Sequence, residues 1–352
     1  MKLMTNSEGR GRNNRQEGKG HRRGSVSFKI SLSLLCVLIP FLIILITISC
    51  VMAAGAISIL NDKILKVQTD YAVSRVDDFF SSKVTAASMF RENDDLQAYF
   101  ASVTGKDDIR SYNGHGEVLR VLGSALEQMG DTEKVMQAWV ADPRTDCYLL
   151  SDGSVVDAGL EDTAWYGTVV SEGKTIITEP FLDPATQEMI VSIVSPVVSG
   201  SGTGPAGLFG FDVNLDTLKQ TLSGIKVGEA GYLELISNGS DYIYSDDPTA
   251  SGRNVSELTI SDDYKDKVRN NYNGITDFTY SGVRYTAMFR NCRTTDWLAV
   301  ATLPLSEVNY TRNHLIETMV FMSILMLALL VLLIVFVVRR LMKPLGEISA
   351  SM

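Results

Sequence analysis

Two long runs without charged residues constrain this chain more than any other feature of its sequence. Ile30–Leu60 holds 31 residues and Thr318–Val338 holds 21, and neither run contains Asp, Glu, Lys or Arg. A helix needs only about 20 apolar residues to cross the hydrocarbon core of a bilayer. A cleaved signal peptide, the alternative for the first run, has an apolar core of roughly 7–15 residues, although Ala53–Ala56 resembles a cleavage site. The runs predict two transmembrane helices, over residues 30–60 and 315–338.

The charges are distributed unevenly around these runs. Residues 1–29 carry a net charge of +6 and residues 339–352 a net +2, whereas residues 61–317 hold 21 Lys and Arg against 38 Asp and Glu. Basic flanks stay on the cytoplasmic side of a membrane. We therefore expect a two-span protein of the cell membrane with both termini in the cytoplasm, a basic tail over residues 1–29 that faces membrane lipid, and an acidic segment outside. The net charge of −9 argues against nucleic acid as a partner.

The first run continues as a helical pattern beyond the membrane. Leu60, Ile64, Val67 and Tyr71 follow one another at spacings of four, three and four residues, and no Pro or Gly occurs from Ser58 to Val103. Apolar residues at this spacing form the seam of a coiled coil. The pattern predicts one long stalk helix over residues 61–105 and a homodimer. A core helix of the exterior domain is the alternative for the same pattern, and both readings are compatible.

The remaining exterior sequence alternates between short strand-like runs and turn signals. Strand-like runs fall in residues 134–224, with a helix near Thr163–Val170, and a second group of similar texture falls in residues 228–305. The fold class is therefore predicted to be α+β, with two modules built on antiparallel sheets. The exterior domain as a whole spans residues 61–312.

Little in the sequence supports catalysis. The three histidines, His21, His115 and His314, have no metal-ligand neighbours at helical spacing. Residues 202–207 match the letters of a dinucleotide fingerprint, but a strand-like run follows where that motif requires a helix, so a hairpin loop is the better interpretation. We expect no enzyme, no metal and no cofactor. Cys147 and Cys292 are the cysteines of the exterior segment, and the sequence leaves open whether they form a disulfide.

Several short motifs in the exterior segment resemble the double Cache (dCache) sensor domain of bacterial chemoreceptors and sensor kinases. The resemblance covers about residues 60–305 and rests on Asp152-Gly153, Trp165-Tyr166, residues 179–183, Ile193–Pro196 and Gly210–Asp212. It implies two PAS-like (Cache) modules, with a small extracellular ligand bound in the module farther from the membrane. It also implies the sensory part of a methyl-accepting chemotaxis protein, or of a histidine kinase or diguanylate cyclase.

The resemblance also implies a ligand site. Carried over residue by residue, it comprises Trp165, Tyr166, Phe181, Asp183 and Asp212. Members that recognise amino acids have an Arg two residues before the Trp-Tyr pair, where this chain has Thr163. Without that guanidinium a ligand carboxylate has no bidentate partner. Two acids beside aromatic rings suit a cation, so a small amine or quaternary ammonium ligand is the hypothesis. The alternative is that these residues only pack the sheet and cap turns.

The sequence after the second run resembles the opening of a HAMP linker. Residues 339–352 include Lys343-Pro344, and a Pro is well placed in the first turn of a helix. We expect cytoplasmic signalling partners to act only through sequence beyond Met352, so that the chain is either a fragment of a longer receptor or a receptor without an output domain. A membrane-anchored binding protein without signalling output is the rival of another class, and a tethered hydrolase is the third.

Overall fold

The computed structural model describes residues 26–129, 135–183, 187–198 and 204–349. Gly55–Asn313 forms one compact unit, and the described residues before and after it form another. Most of the predicted tail 1–29, the predicted hairpin loop as far as residue 203, and the last three residues of the predicted linker lie outside the described part.

Long helices stand at both ends of the described chain. Helix α1 spans Val26–Met89, and the last helix, numbered α8 in chain order, spans Leu305–Ser349. By length and composition, both are apolar enough to cross a membrane, and both contain the uncharged runs. Pro40 lies inside α1 without ending it.

The helix predicted over 61–105 is interrupted, so that prediction was wrong in its upper part. Helix α1 ends at Met89, a 3₁₀ turn covers Phe90–Glu92, and α2 spans Asp94–Ser102. The Asn93 side chain causes the new start, because its Oδ1 accepts a hydrogen bond from the amide of Leu96 at 3.0 Å. The Phe90 ring is nearly buried and stacks on Phe209, with ring centroids 4.2 Å apart. Packing against the sheet therefore bends the chain where propensity favours a continuous helix.

The first module is a seven-stranded antiparallel sheet with helices around it. In the order β3-β2-β1-β7-β6-β4, with β5 paired to β6, all paired strands are antiparallel. The strands are β1 Val135–Asp142, β2 Cys147–Leu150, β3 Val155–Asp157, β4 Ile176–Ile177, β5 Phe181–Leu182, β6 Met189–Val198 and β7 Pro205–Asn214. The helices are α3 Asp108–Ser111, α4 His115–Met129, α5 Tyr166–Glu172 and α6 Asp216–Ser223.

The second module is a five-stranded antiparallel sheet in the order β10-β11-β12-β8-β9. Its elements are β8 Tyr232–Ile236, β9 Tyr242–Ser245, α7 Asp262–Arg269, β10 Gly274–Tyr280, β11 Val283–Asn291 and β12 Leu298–Pro304. The predicted α+β class with two antiparallel sheets is confirmed.

One apolar core joins α1 to both sheets. It includes Val76 and Phe80 of α1, Phe211 of the first sheet and Leu233 of the second, all fully buried. The Phe80 ring meets the Trp297 indole edge to face, with centroids 5.2 Å apart. The two modules are therefore held together by α1 as well as by the chain between them.

The strands of the first sheet alternate between this core and a second face. Ala138 and Val140 belong to the shared core, whereas Trp139 and Ala141 belong to a separate cluster with Leu208. Successive side chains of a strand point to opposite faces. This alternation places the side chains of the candidate site on the second face of the sheet.

Candidate functional site

A cavity of about 1220 Å³ lies on the second face of the first sheet. Four of the five predicted site residues line it: Trp165, Phe181, Asp183 and Asp212. Tyr166 is not among the described residues that line it. Its ring lies in the apolar cluster beside the cavity, edge to face with Trp165 at 6.5 Å between centroids. The structure thus brings together residues up to 47 positions apart in sequence.

Asp212 lies near the end of β7, directly opposite Ser192 of β6. Its Oδ1 accepts hydrogen bonds from the Ser192 hydroxyl at 2.6 Å and from the Trp139 indole nitrogen at 2.9 Å. Burial raises the pKa of Asp212 above its ordinary value, these two hydrogen bonds lower it, and the charge of Asp183 raises it again. A cation in the cavity would favour the ionised form.

Trp139 fills the space beside Asp212, and Gly210 makes that space available. Trp139 pairs with Gly210 across β1 and β7, and a Cβ on Gly210 would overlap the indole ring. A glycine inside a strand often marks the close approach of another group. That signal was present in the Gly210–Asp212 motif, but the sequence does not say which ring approaches, so Trp139 was missed.

The start of α5 supplies the aromatic wall. Trp165 immediately precedes the helix, and its indole lies 6.2 Å from that of Trp139, measured between ring centroids. Thr163 also lines the cavity, at the position where the resemblance has an arginine. Its hydroxyl donates to the carbonyl of Leu160 at 2.7 Å. This hydrogen bond closes the end of a 3₁₀ turn. Because position 163 is a threonine, the wall has no cationic side chain at this position.

The short hairpin between β5 and β6 carries the remaining predicted residues. The amide of Asp183 donates to the carbonyl of Glu188 at 2.9 Å, and the amide of Gln187 donates to the carbonyl of Asp183 at 2.8 Å. These bonds hold Asp183 at the strand end, facing the cavity. The Phe181 side chain is 38% exposed, which suits a wall that is covered only when the cavity is filled.

The charged side chains among the described residues of the cavity wall are all acidic. No Lys, Arg or His occurs among the described residues that line it, whereas six carboxylates do: Asp157, Glu172, Glu179, Asp183, Asp212 and Asp296. Asp157 forms an ion pair with Lys106, which is not itself a lining residue. A wall on which the described charged residues are acidic favours a positively charged occupant.

The second module also reaches the cavity. Asn238, which follows β8, and Thr294, Thr295 and Asp296 from the turn between β11 and β12 are among the lining residues. These contacts were not predicted, since nothing local in residues 228–305 marks them. They depend on how the two sheets are packed against α1.

Comparison with known proteins supports the two-module sensor architecture. The profile of dCache_1, described as a Cache domain, matches residues 60–311. The methyl-accepting chemotaxis protein TlpA of Bacillus subtilis is 28% identical over 193 residues, which is 53% of this chain and 27% of TlpA. The methyl-accepting chemotaxis protein PctB of Pseudomonas aeruginosa is 24% identical over 191 residues, 53% of this chain and 29% of PctB. The chain thus spans less than a third of the length of these relatives.

Solved structures share the fold at low identity. The ligand-binding domain of Mlp24 with asparagine has a TM-score of 0.55 at 19% identity and covers 74% of this chain and 99% of that domain. The sensory domain of the Campylobacter jejuni chemoreceptor Tlp3 with isoleucine has a TM-score of 0.55 at 11% identity, covering 73% and 98%. The family match extends over most of the chain and coincides with the two sheets built on α1. The chain belongs to the Cache domain family in its double form, dCache_1.

Proposed function

We propose that this chain is the sensory part of a transmembrane chemoreceptor, namely of a methyl-accepting chemotaxis protein. The family match, the names of the sequence relatives and the two apolar helices support this function. In this proposal α1 and α8 cross the cell membrane, both termini are cytoplasmic, and the unit Gly55–Asn313 is extracellular. Membrane lipid surrounds the apolar helices, and signalling partners act on a cytoplasmic part of the receptor.

The receptor works as a homodimer in this proposal. The residues of the predicted seam are all exposed on α1: Leu60 by 56%, Ile64 by 37%, Val67 by 53% and Tyr71 by 46%. A second copy would cover this stripe. Ligand binding would favour one of two arrangements of the first module on α1, and the membrane-crossing helices would carry that difference inward.

The ligand is a small organic cation. The observation that carries this choice is the wall charge, with six carboxylates and no basic side chain among the described lining residues. Asp212 and Asp183 would pair with the ammonium group, and the Trp165 ring offers a face for a cation–π contact. The ligand charge would also offset the burial that raises the pKa of Asp212.

An amino acid is the second candidate, favoured by the asparagine and isoleucine present in the structures of Mlp24 and Tlp3. An amino acid also carries an ammonium group, which the two acids would accept. Its carboxylate, however, would meet the hydroxyl of Thr163 and not a guanidinium. Because the part of the wall that the structure describes carries no basic side chain, ligands without a carboxylate are favoured.

Calorimetry on the full chain in lipid nanodiscs distinguishes the two candidates. We expect heat of binding with tetramethylammonium and primary amines. Binding should be about 10-fold to 100-fold weaker in Asp212→Asn, since a charge-assisted contact contributes about 1.5–3 kcal/mol. Asp262→Asn, an exposed acid on α7, should bind as the wild type does. Binding of asparagine or isoleucine without any binding of amines would contradict the cationic ligand.

A further inference from the structure

We propose that the second module takes part in ligand recognition, with Asp296 supplying a carboxylate to the cavity and α1 holding Asp296 in place through Asp77. The inference rests on the proposed cationic ligand. It goes further in assigning part of the site to the module that carries none of the predicted site residues. The observation behind it is that the turn between β11 and β12 forms part of the cavity wall.

The turn has a well-defined backbone. The amide of Cys292 donates to the carbonyl of Trp297 at 2.7 Å and closes the turn, and the amide of Trp297 donates to the Thr295 hydroxyl at 3.2 Å. Thr295 and Trp297 are buried, whereas Asp296 is exposed and has a φ of 59°. Asp and Asn adopt this left-handed conformation more readily than most residues. The turn thus buries its neighbours and presents Asp296 at the cavity.

Helix α1 holds the turn in place through hydrogen bonds and ring packing. Asp77 Oδ1 accepts hydrogen bonds from the amides of Arg293 at 2.8 Å and Thr294 at 2.9 Å. One helical turn further on, Phe80 packs edge to face on Trp297 at 5.2 Å between centroids. A carboxylate that accepts two adjacent backbone amides fixes the position of the segment that carries them. Asp77 is therefore a positioning residue for Asp296.

A single amide connects the turn to the first module at the cavity. The Asn238 side-chain nitrogen donates to Glu179 Oε1 at 2.9 Å and to the carbonyl of Thr295 at 3.2 Å. Glu179 and Asn238 both line the cavity. A ligand between the acids of the first module and Asp296 would contact both modules at the level of this bridge. Occupancy of the cavity then changes how the two modules are held relative to α1.

Putrescine is the probe, because it is flexible and its two ammonium groups can pair with carboxylates on different walls. Titration of the full chain in nanodiscs should show Kd raised about threefold to fivefold in Asp296→Asn, the upper range for one exposed charge pair. Asn tolerates the φ of this position, and Asp296→Gly is the second variant that does so without strain. Asp262→Asn removes one exposed charge from the same module and should stay within about twofold of the wild type.

Asp77→Ala tests the positioning role through a double-mutant cycle. If Asp77 acts by placing Asp296, the variant should weaken putrescine binding in the wild-type background and have little further effect in the Asp296→Asn background. Equal effects in both backgrounds would show that Asp77 only stabilises the fold, and would overturn this part of the proposal.

The outcomes separate the inference from the proposed function. The inference is overturned if Asp296→Asn and Asp296→Gly both bind putrescine as tightly as the wild type does. The proposed function is preserved in that case if Asp212→Asn still weakens tetramethylammonium binding under the same conditions. A wild-type chain that binds tetramethylammonium but no putrescine also overturns the inference alone. If the wild-type chain binds neither tetramethylammonium nor putrescine, the inference and the proposed cationic ligand are both overturned.

Discussion

At the scale of single residues, a half-buried acid, Asp212, and a buried acid, Glu234, show how the fold constrains side-chain chemistry. Asp212 is accompanied by two hydrogen-bond donors in a partly open cavity, whereas Glu234 on β8 is 4% exposed and receives one hydrogen bond, from the Tyr264 hydroxyl at 2.8 Å. Burial raises the pKa of Glu234 to about 8, which the hydrogen bond from Tyr264 opposes and the charges of Asp247 and Asp246 increase. Asp212 faces the cavity, and Glu234 lies inside the second module.

Glu234 should make the stability of the unit Gly55–Asn313 depend on pH. Since the pKa is higher in the folded chain than in the unfolded chain, the folded state binds the proton more tightly. The free energy of unfolding should therefore fall as the pH rises from about 4.5 to about 8, with a limiting slope of about 1.4 kcal/mol per pH unit. Glu234→Gln should remove this decline in melting experiments between pH 5 and 9, whereas Glu127→Gln, an exposed acid on α4, should follow the wild type. If the free energy of unfolding of Glu234→Gln falls with pH as it does in the wild type, Glu234 is not the group responsible.

Gly210 should be intolerant of a side chain. In Gly210→Ala the added Cβ would overlap the Trp139 indole, so β1 or the ring must move and the bond to Asp212 is lost. We expect a loss of about 1–3 kcal/mol in the free energy of unfolding, the usual range for overpacking, together with weaker amine binding. Gly167→Ala is the matched control, because no atom lies within 4 Å of its added Cβ and alanine favours the helix. Equal stability of the two variants would contradict the close packing.

At the scale of elements, α1 has two apolar faces with different surroundings. Leu65, Ala72 and Val76 are buried in the shared core, while Ile64 and Val67 on the other face are exposed. With 3.6 residues per turn, the two sets lie on opposite sides of the helix. The core of the unit accounts for one face, and a second copy of the chain would account for the other.

Cysteine crosslinking along α1 tests that dimer. Leu60→Cys, Ile64→Cys and Val67→Cys, each in a background without the native cysteines, should form disulfide-linked dimers in membranes. Asp62→Cys, which points about half a turn away from the seam, should not. Equal crosslinking at all four positions would contradict a specific stalk dimer.

The four native cysteines are free in the structure, and Cys147 and Cys292 are both buried without a bond between them.

At the scale of the whole molecule, the charge pattern and the two apolar helices support the proposal that the ends and the middle of the chain face different compartments. Residues 61–317 carry a net charge of −17, and residues 1–29 carry +6. A membrane between them accounts for both the segregation and the two uncharged runs. In water, the two helices would expose mostly apolar surface.

Labelling of single cysteines in intact cells checks this topology. In a background without the native cysteines, Ser251→Cys, on an exposed turn of the second module, should react with a membrane-impermeant maleimide. Ser7→Cys in the tail should react only after the cells are opened. Labelling of Ser7→Cys in intact cells would contradict a cytoplasmic N-terminus.

The sequence predicted the parts of this protein that depend on local pattern. Strand alternation, turn signals and uncharged runs are properties of neighbouring residues, so the α+β class and the two apolar helices followed from them. The motif residues Trp165, Phe181, Asp183 and Asp212 were found because each stands in a short recognisable stretch. The predicted helix over 61–105 was wrong beyond Met89, because the stacking of Phe90 on Phe209 outweighs helix propensity there.

Which side chains meet at the cavity depends on how distant parts of the chain pack together. Trp139 and Asp212 are 73 positions apart, and Asp77 and Arg293 are 216 apart. The reason is physical, since cavities and hydrogen bonds between distant strands depend on sheet register and on packing against α1, and no local periodicity encodes either. Local sequence patterns therefore predicted the apolar helices and the sheets of the acidic segment, whereas folding brought the second module to the wall of the cavity.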